Sequence, residues 1–215
     1  MNKNLTEIVY ILDRSGSMSG LEKDTIGGYN SFLEKQKKED GDAVVTTVLF
    51  DDKYDMVHDH VDIKKVKPLT NKEYFARGMT ALLDAIGKTI NNVGNRHKYA
   101  LDSEVPGKTI VVITTDGFEN ASREFTSDKV KSMIEHQKKK YGWEFLFLGA
   151  NIDAVKTAKN FGITREFAVT YEADEDGTAL NFESVSNVVS DVRASRPMAA
   201  NWKEKIETHL RNKKN

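Results

Sequence analysis

The chain has 215 residues, with 32 Lys or Arg, 33 Asp or Glu and a formal net charge of −1. This balance provides no overall basic field for nucleic acid and no acidic excess typical of a disordered tail. The absence of cysteine excludes disulfides, thiolate zinc sites and cysteine nucleophiles. The amino terminus lacks the apolar core of a signal peptide, and no apolar run approaches the ~20 residues that cross a membrane. We therefore expect a cytoplasmic protein that binds neither membranes nor nucleic acid.

The first informative segment, residues 8–18, reads Ile-Val-Tyr-Ile-Leu-Asp-Arg-Ser-Gly-Ser-Met. Its five leading apolar or aromatic residues predict a strand of a parallel sheet that is buried on both faces. Apolar residues at helical spacing then predict a helix over 21–38. Asp13, Ser15 and Ser17 would thus lie on a strand-to-helix turn, where open parallel sheets bind their ligands. One carboxylate and two hydroxyls form a hard-oxygen cluster suited to Mg²⁺.

A purely structural interpretation of this turn is also available. Ser15 and Ser17 would cap the helix, and Gly16 would ease the turn. Capping accounts for a hydroxyl, but it does not account for Asp13, whose charge stands where a buried strand ends.

The next two segments predict a hairpin. Residues 43–50 are rich in β-branched side chains, and residues 54–61 alternate apolar and polar side chains as a half-exposed edge strand does. The edge strand would be antiparallel to an otherwise parallel sheet. On a regular strand His58 and His60 share one face while Asp59 points to the other, which favours a solvated edge over a zinc site.

A second helix is predicted to begin within residues 78–87. Thr80 stands at the expected N-cap position, ahead of a buried stripe of Leu82, Leu83, Ile86 and Ile90. The polar residues 91–106 predict a loop after a frayed helix end.

Residues 108–115 form the most strand-like segment, and Asp116 and Gly117 follow it directly. A carboxylate again ends a predicted central strand, and the glycine favours a sharp turn. The alternative is an ordinary Asp-Gly turn without further function.

The remaining segments complete an alternating pattern. They predict a helix over 127–140, a strand over 143–148, a short helix over 152–161, an edge strand over 166–171, a helix over 178–193 with an acidic cap region at 174–177, and a terminal helix over 202–210. The pattern predicts a doubly wound α/β fold: a mostly parallel six-stranded sheet with one antiparallel edge strand and helices on both faces. We expect one domain over 1–215, with its core at about 5–195 and a helix and basic tail at 198–215.

Three loops together resemble the metal-ion-dependent adhesion site of von Willebrand factor A-type domains, and in particular bacterial stand-alone proteins of that family. The matching residues are Asp13, Ser15 and Ser17 in an Asp-x-Ser-x-Ser pattern, Thr80 after a glycine turn, and Asp116 after the fourth strand. The resemblance covers at least Leu5 to about Tyr171. Met79 stands where the family often has a second glycine. The resemblance implies a divalent cation at the top of the sheet, bound directly or through water by these five residues.

The resemblance also implies a function as a protein-binding module. A partner's aspartate or glutamate would fill the open coordination position of the cation. Mg²⁺ is expected from the hard ligands, while Mn²⁺ and Ca²⁺ are chemically compatible. We expect a monomer whose binding rim consists of Arg14, Met18, Met79, Phe118 and Glu119.

Two other classes compete with this hypothesis. A Mg²⁺-dependent phosphoryl-transfer hydrolase could use Asp13 as its nucleophile, but no second acid stands two residues later. No P-loop, nucleophile elbow or dinucleotide-binding turn is present either. We therefore expect a protein that is not an enzyme. A scaffold that keeps the loops without using metal would leave the charges of Asp13 and Asp116 close together and unneutralised.

Overall fold

The computed structural model describes residues 1–214. Its six strands are β1 (Asn2–Asp13), β2 (Asp42–Phe50), β3 (Tyr54–Asp62), β4 (Pro106–Thr115), β5 (Glu144–Ala150) and β6 (Ala168–Tyr171). They form one sheet in the order β3-β2-β1-β4-β5-β6. Strand β3 is antiparallel to β2, and the other neighbouring pairs are parallel. The predicted doubly wound sheet with one antiparallel edge strand is confirmed.

Helices cover both faces of this sheet. They are α1 (Glu22–Gln36), α2 (Leu82–Tyr99), α3 (Ser127–Tyr141), α4 (Ala154–Asn160), α5 (Glu175–Arg193) and α6 (Glu204–Lys214). Apolar residues of α1, α5 and α6 pack into a core on one face, and those of α2, α3 and α4 pack on the other. None of the helices within residues 1–214 combines the length and the apolar character that a membrane span requires.

Strand β1 lies at the centre of the sheet and explains the apolar run in the sequence. Ile8, Tyr10 and Leu12 belong to the core beneath α1 and α5, while Val9 and Ile11 belong to the core beneath α2. Successive side chains of a strand alternate between its faces, so a strand covered on both sides must be apolar throughout. Because β1 and β4 are parallel neighbours, their carboxyl ends meet at the same edge of the sheet.

Helix α2 is longer than predicted. Residues 91–106 were expected to form a loop, but α2 extends to Tyr99 and β4 begins at Pro106. Val93 is fully buried in the core, and two polar residues of the last turns bind a buried carboxylate. Arg96 Nη2 and His97 Nε2 lie 2.7 and 2.6 Å from the two carboxylate oxygens of Glu7 on β1. These long-range contacts stabilise a polar segment as helix, which local sequence alone does not reveal.

The expectation that His58 and His60 share one face of β3 is also wrong. His60 has a positive φ of 53°, and the register between β2 and β3 shifts near it. As a result His58 lies 3.5 Å from the hydroxyl of Tyr29 on the α1 side, while His60 lies 3.5 Å from Glu7 on the α2 side. The irregularity therefore separates two side chains that a regular strand would place on one face.

The carboxy-terminal segment packs against the edge strand β6. Lys203 donates hydrogen bonds to the carbonyl oxygens of Arg165 and Ala168 at 2.7 and 3.0 Å. Trp202 donates from its indole nitrogen to the carbonyl oxygen of Glu166 at 2.8 Å. Asp174 caps α5, as the acidic cap region predicted, by accepting a 2.7 Å hydrogen bond from the backbone of Gly177.

Candidate metal centre

The loop after β1 presents the Asp-x-Ser-x-Ser residues in a compact turn. The backbone nitrogen of Ser15 donates to Asp13 Oδ1 at 2.6 Å, and a short 3₁₀ turn follows at Gly16–Met18. This turn brings the hydroxyls of Ser15 and Ser17 to 3.0 Å from each other. The N-cap of α1 is Leu21, and Ser15 makes no side-chain capping bond to the 3₁₀ turn. Capping is therefore not the role of these serines.

The loop after β4 joins the first loop through two hydrogen bonds. Ser17 donates from its hydroxyl to Asp116 Oδ1. Thr115, the last residue of β4, donates from its hydroxyl to Asp13 Oδ2 at 2.6 Å. The two carboxylates predicted at separate strand ends thus belong to one hydrogen-bonded cluster.

The loop before α2 supplies Thr80, although not as the predicted N-cap. Helix α2 begins at Leu82 and its N-cap is Ala81, which makes no side-chain capping bond. The backbone of Thr80 instead pairs with Asn120, whose side chain accepts from Thr80 N at 2.9 Å. A Cβ atom placed on Gly117 would lie 2.8 Å from Thr80 Oγ1 and 3.1 Å from Ser17 Oγ. The Thr80 hydroxyl therefore faces the other two loops across a narrow space that only glycine leaves open.

The two carboxylates of this cluster are both buried. Asp13 is fully buried and Asp116 is 5% exposed. Among the side chains of residues 1–213 neither forms an ion pair with Lys, Arg or His. Burial raises the pKa of Asp13 to about 6, although hydrogen bonds from Thr115 and Ser15 oppose the shift. Burial also raises the pKa of Asp116. Charged carboxylates in such a site are costly unless a cation neutralises them.

The donor set fits a hard divalent cation. Asp13 and Asp116 supply carboxylate oxygens, while Ser15, Ser17 and Thr80 supply hydroxyl oxygens, which are the ligand types that Mg²⁺ and Ca²⁺ prefer. In the part of the chain that the structure describes, no group of three or more His, Cys, Asp or Glu side chains is arranged to hold a metal ion. Any binding at this edge therefore depends on the hydroxyls as well as on the two acids.

Two of the predicted rim residues are strongly exposed beside the cluster. Met79 is 52% exposed and directly precedes Thr80, while Phe118 is 68% exposed and follows Gly117. Glu119 is half-buried, and its carboxylate accepts from the backbone nitrogens of Leu83 and Ser122 at 2.9 and 2.7 Å. Glu119 thus accepts a hydrogen bond from a free backbone N–H group in the first turn of α2, which is the role that was predicted for Thr80.

The other two rim predictions are wrong. Met18 is 1% exposed because it packs in the core beneath α1. Arg14 is 3% exposed, and its guanidinium donates to Asp51 Oδ2 and to the carbonyl oxygen of Glu73, both at 3.0 Å. Their positions beside Asp13 and Ser17 gave no indication of burial, because the partners lie far along the chain.

Three residues in or beside the cluster were missed. Thr115 and Asn120 bond directly to predicted site residues, and Asp51 lies at the end of β2, at the same edge of the sheet. The rule that parallel sheets bind ligands at the carboxyl ends of strands would have identified Asp51 as a candidate. Nothing in the local sequence distinguished Asn120.

Comparisons with known proteins identify the fold. No family model and no curated protein sequence matches the chain. Similar solved structures include proximal thread matrix protein 1 from the mussel byssus with its MIDAS motif occupied by zinc, at 16% identity and a TM-score of 0.59 over 88% of this chain and 47% of that one. A von Willebrand factor type A protein from Catenulispora acidiphila has 12% identity and a TM-score of 0.55 over 88% and 43%.

A third similar structure is the ArnB paralog VWA2 from Sulfolobus acidocaldarius, with 15% identity and a TM-score of 0.53 over 86% of this chain and 45% of that one. The chain thus spans about half the length of the solved structures it matches. Likeness at these identities concerns the fold. The chain adopts the von Willebrand factor A fold, as the arrangement of its three loops predicted.

Proposed function

We propose that this chain is a divalent-metal-dependent protein-binding module, with the metal held by Asp13, Ser15, Ser17, Thr80 and Asp116. The observation that carries the proposal is the cluster of two buried carboxylates and three hydroxyls at the carboxyl edge of the sheet, where the carboxylates have no cationic partner among the side chains of residues 1–213. The similar mussel structure with a zinc-occupied MIDAS motif supports a divalent ion. The all-oxygen donor set favours Mg²⁺, with Mn²⁺ and Ca²⁺ as alternatives.

The charges of this donor set favour an acidic partner. The three hydroxyls contribute no charge, so Asp13 and Asp116 at most balance a divalent ion. A bound cation would supply a positive centre that an aspartate or glutamate of a partner protein can coordinate. Met79 and Phe118, both exposed, would add apolar contacts around that acid.

The environment of Asp13 argues against the hydrolase alternative. The side chain is fully buried, and its two oxygens accept hydrogen bonds from Ser15 and Thr115. Such a carboxylate is poorly placed to attack a phosphoryl group. The histidines, which could serve as general acids, make their contacts elsewhere: His58 with Tyr29, His60 and His97 with Glu7, His136 with Tyr141, and His209 with Asp174.

Calorimetric titration with Mg²⁺ and Mn²⁺ tests the metal site. At a concentration 100 times Kd, the metal should raise the free energy of unfolding of the wild type by about 2.7 kcal/mol. Ser17→Ala and Thr80→Ala should weaken binding, because each removes a hydroxyl of the cluster. Ser31→Ala, an exposed serine of α1, is the matched control. The absence of divalent binding at millimolar concentrations would refute the proposal.

Capture of partners from a native lysate tests the protein-binding role. Partners should be retained by the Mg²⁺-loaded wild type and lost in EDTA or with Thr80→Ala. Changing one acidic residue of a captured partner to its amide should also abolish retention. A partner that binds equally well in EDTA and to Thr80→Ala would show that this edge of the sheet is not its binding surface.

A further inference from the structure

A partly buried ion-pair network lies directly beside the candidate metal centre and has no part in the ligand set. Its hub is Asp51, which is fully buried at the start of the turn between β2 and β3. Asp51 Oδ2 accepts from Arg14 Nε at 3.0 Å and from Arg77 Nε at 2.6 Å. Both guanidinium groups also contact Asp55. Two cations and two anions are thus held together by residues from three loops and from strand β3.

The second arginine belongs to the loop that carries Thr80. Arg14 already pairs with the buried carboxylate of Asp51, and Arg77 adds a second, shorter ion pair to the same oxygen. The Phe75 ring has both guanidinium groups near its face, with centroid distances of 5.6 Å to Arg14 and 5.0 Å to Arg77. Arg77 is therefore fixed by an ion pair and by an aromatic contact, which restricts the path of the chain that follows it.

Backbone hydrogen bonds continue this attachment towards Thr80. Arg77 N donates to the carbonyl oxygen of Arg14 at 2.9 Å, and the carbonyl oxygen of Gly78 accepts from Gly16 at 3.1 Å. At the other end, Ala81 N donates to the carbonyl oxygen of Asp51 at 2.9 Å. Residues 77–81 are thus joined to the loop after β1 and to the turn after β2, with Thr80 between the two attachments.

The turn within this segment tolerates little variation. Gly78 has a positive φ of 67°, and a Cβ atom there would lie 2.1 Å from Asp52 Oδ1. The segment therefore lies in close contact with the turn between β2 and β3, which also supplies Asp51 to the network.

We infer that Arg77, acting through Asp51 and Arg14, is a positioning residue that holds the Thr80 hydroxyl against the Asp13 loop and thereby sets metal affinity. The inference rests on the proposed metal-binding function. Arg77 touches no predicted ligand side chain; it acts by fixing the segment that carries one. Residues that orient metal ligands in this way typically change affinity 10- to 100-fold when they are mutated.

The first test compares Arg77→Met with Arg96→Met by calorimetric titration with Mg²⁺ and Mn²⁺. Arg96 is the matched control because it also pairs with a buried acid, Glu7, but lies away from the three loops. Arg77→Met should weaken metal binding about 10-fold, while Arg96→Met should leave the affinity unchanged. Loss of a positive charge would by itself strengthen cation binding, so weaker binding cannot be an effect of charge.

A double-mutant cycle with Thr80→Ala separates positioning from general loosening of the fold. In the Thr80→Ala background, Arg77→Met should cause no further loss of metal affinity, because the hydroxyl it positions is gone. Arg77→Lys, which keeps the charge without the planar guanidinium, should have intermediate affinity and serves in the same cycle if Arg77→Met does not fold.

The failures of the two proposals can be told apart. A wild type without metal affinity would overturn both. Wild-type affinity in Arg77→Met, or an equal loss with and without the Thr80 hydroxyl, would overturn the positioning role and leave the proposed metal site intact.

Discussion

Strand β1 carries two fully buried carboxylates in opposite electrostatic environments. Glu7 accepts hydrogen bonds from Thr46 at 2.9 Å and from Arg96 at 2.7 Å, and its second oxygen lies 2.6 Å from His97. Asp13, six residues later, accepts hydrogen bonds from a backbone nitrogen and a threonine hydroxyl. Burial alone would raise the pKa of both. For Glu7 the neighbouring histidines and Arg96 instead hold the pKa well below its usual range, whereas the pKa of Asp13 rises to about 6.

The difference distinguishes a structural acid from a candidate ligand. Glu7 is neutralised by side chains that belong to the fold, so its charge is part of the stable native state. Asp13 and Asp116 have hydroxyl neighbours in place of cations, so their charges are compensated only when a cation is added. Burial does not separate the two roles, but the source of the opposing charge does.

Replacement of the structural acid should have the largest effect on stability. Glu7→Gln leaves Arg96 and His97 without their buried counter-charge, and we expect a loss of about 3 kcal/mol in the free energy of unfolding. Urea unfolding of the metal-free protein measures this loss. A loss below about 1 kcal/mol would remove the contrast with Asp13.

Replacement of the candidate ligand Asp13 should change the free energy of unfolding of the metal-free protein in the opposite direction. Asp13→Asn removes an uncompensated buried charge at nearly constant shape, so the free energy of unfolding should be unchanged or rise by up to about 2 kcal/mol. The same variant should lose the stabilisation by Mg²⁺, while Glu7→Gln should keep it. Strong destabilisation of metal-free Asp13→Asn would assign a structural role to this residue too.

The dependence of stability on pH should show the smallest and most diagnostic difference. The folded-state pKa of Asp13 is raised from 3.8 to about 6, so the stability it contributes is present at low pH and is lost as the pH rises through 6. The advantage of metal-free Asp13→Asn over the wild type should therefore grow between pH 4 and pH 7.

Glu7 should behave in the reverse way. Its folded-state pKa is lowered, so its contribution is present above its ordinary pKa of 4.5 and is lost as the pH falls. The loss in free energy of unfolding that Glu7→Gln causes should therefore become smaller as the pH falls. Chemical unfolding of the three proteins at pH 3, 4, 5.5 and 7 measures both trends, since the Asp13 effect falls between pH 3.8 and about 6 and the Glu7 effect falls below pH 4.5. Parallel pH profiles would contradict the contrast.

The sequence predicted those features that depend on local pattern. The uninterrupted apolar run before Asp13 identified a central strand because burial on both faces leaves no room for polar side chains. The topology of parallel sheets then predicted that Asp13 and Asp116, which stand at the carboxyl ends of two such strands, lie at the same edge of the sheet. The structure places these residues together with Ser15, Ser17 and Thr80, whose metal binding remains a prediction.

Features that depend on distant partners were not predictable. The burial of Arg14 requires Asp51, which is 37 positions away, and the last turns of α2 depend on Glu7. The opposite orientations of His58 and His60 result from an irregularity in strand pairing. In each case the local sequence predicts a solvated polar side chain, but the side chain contacts a residue that lies far away in the sequence and that local periodicity does not reveal.

The structure of the two edge strands, β3 and β6, has a consequence for self-association. Open strand edges offer unpaired backbone groups to other chains and promote aggregation. Here β3 is distorted at His60, and the carbonyl oxygen of Ala168 on β6 is bonded by Lys203 from the segment before α6. Both edges are thus poor templates for adding a strand from a second molecule. The exposed apolar side chains of Met79 and Phe118 are thus carried by a fold whose sheet edges resist edge-to-edge polymerisation.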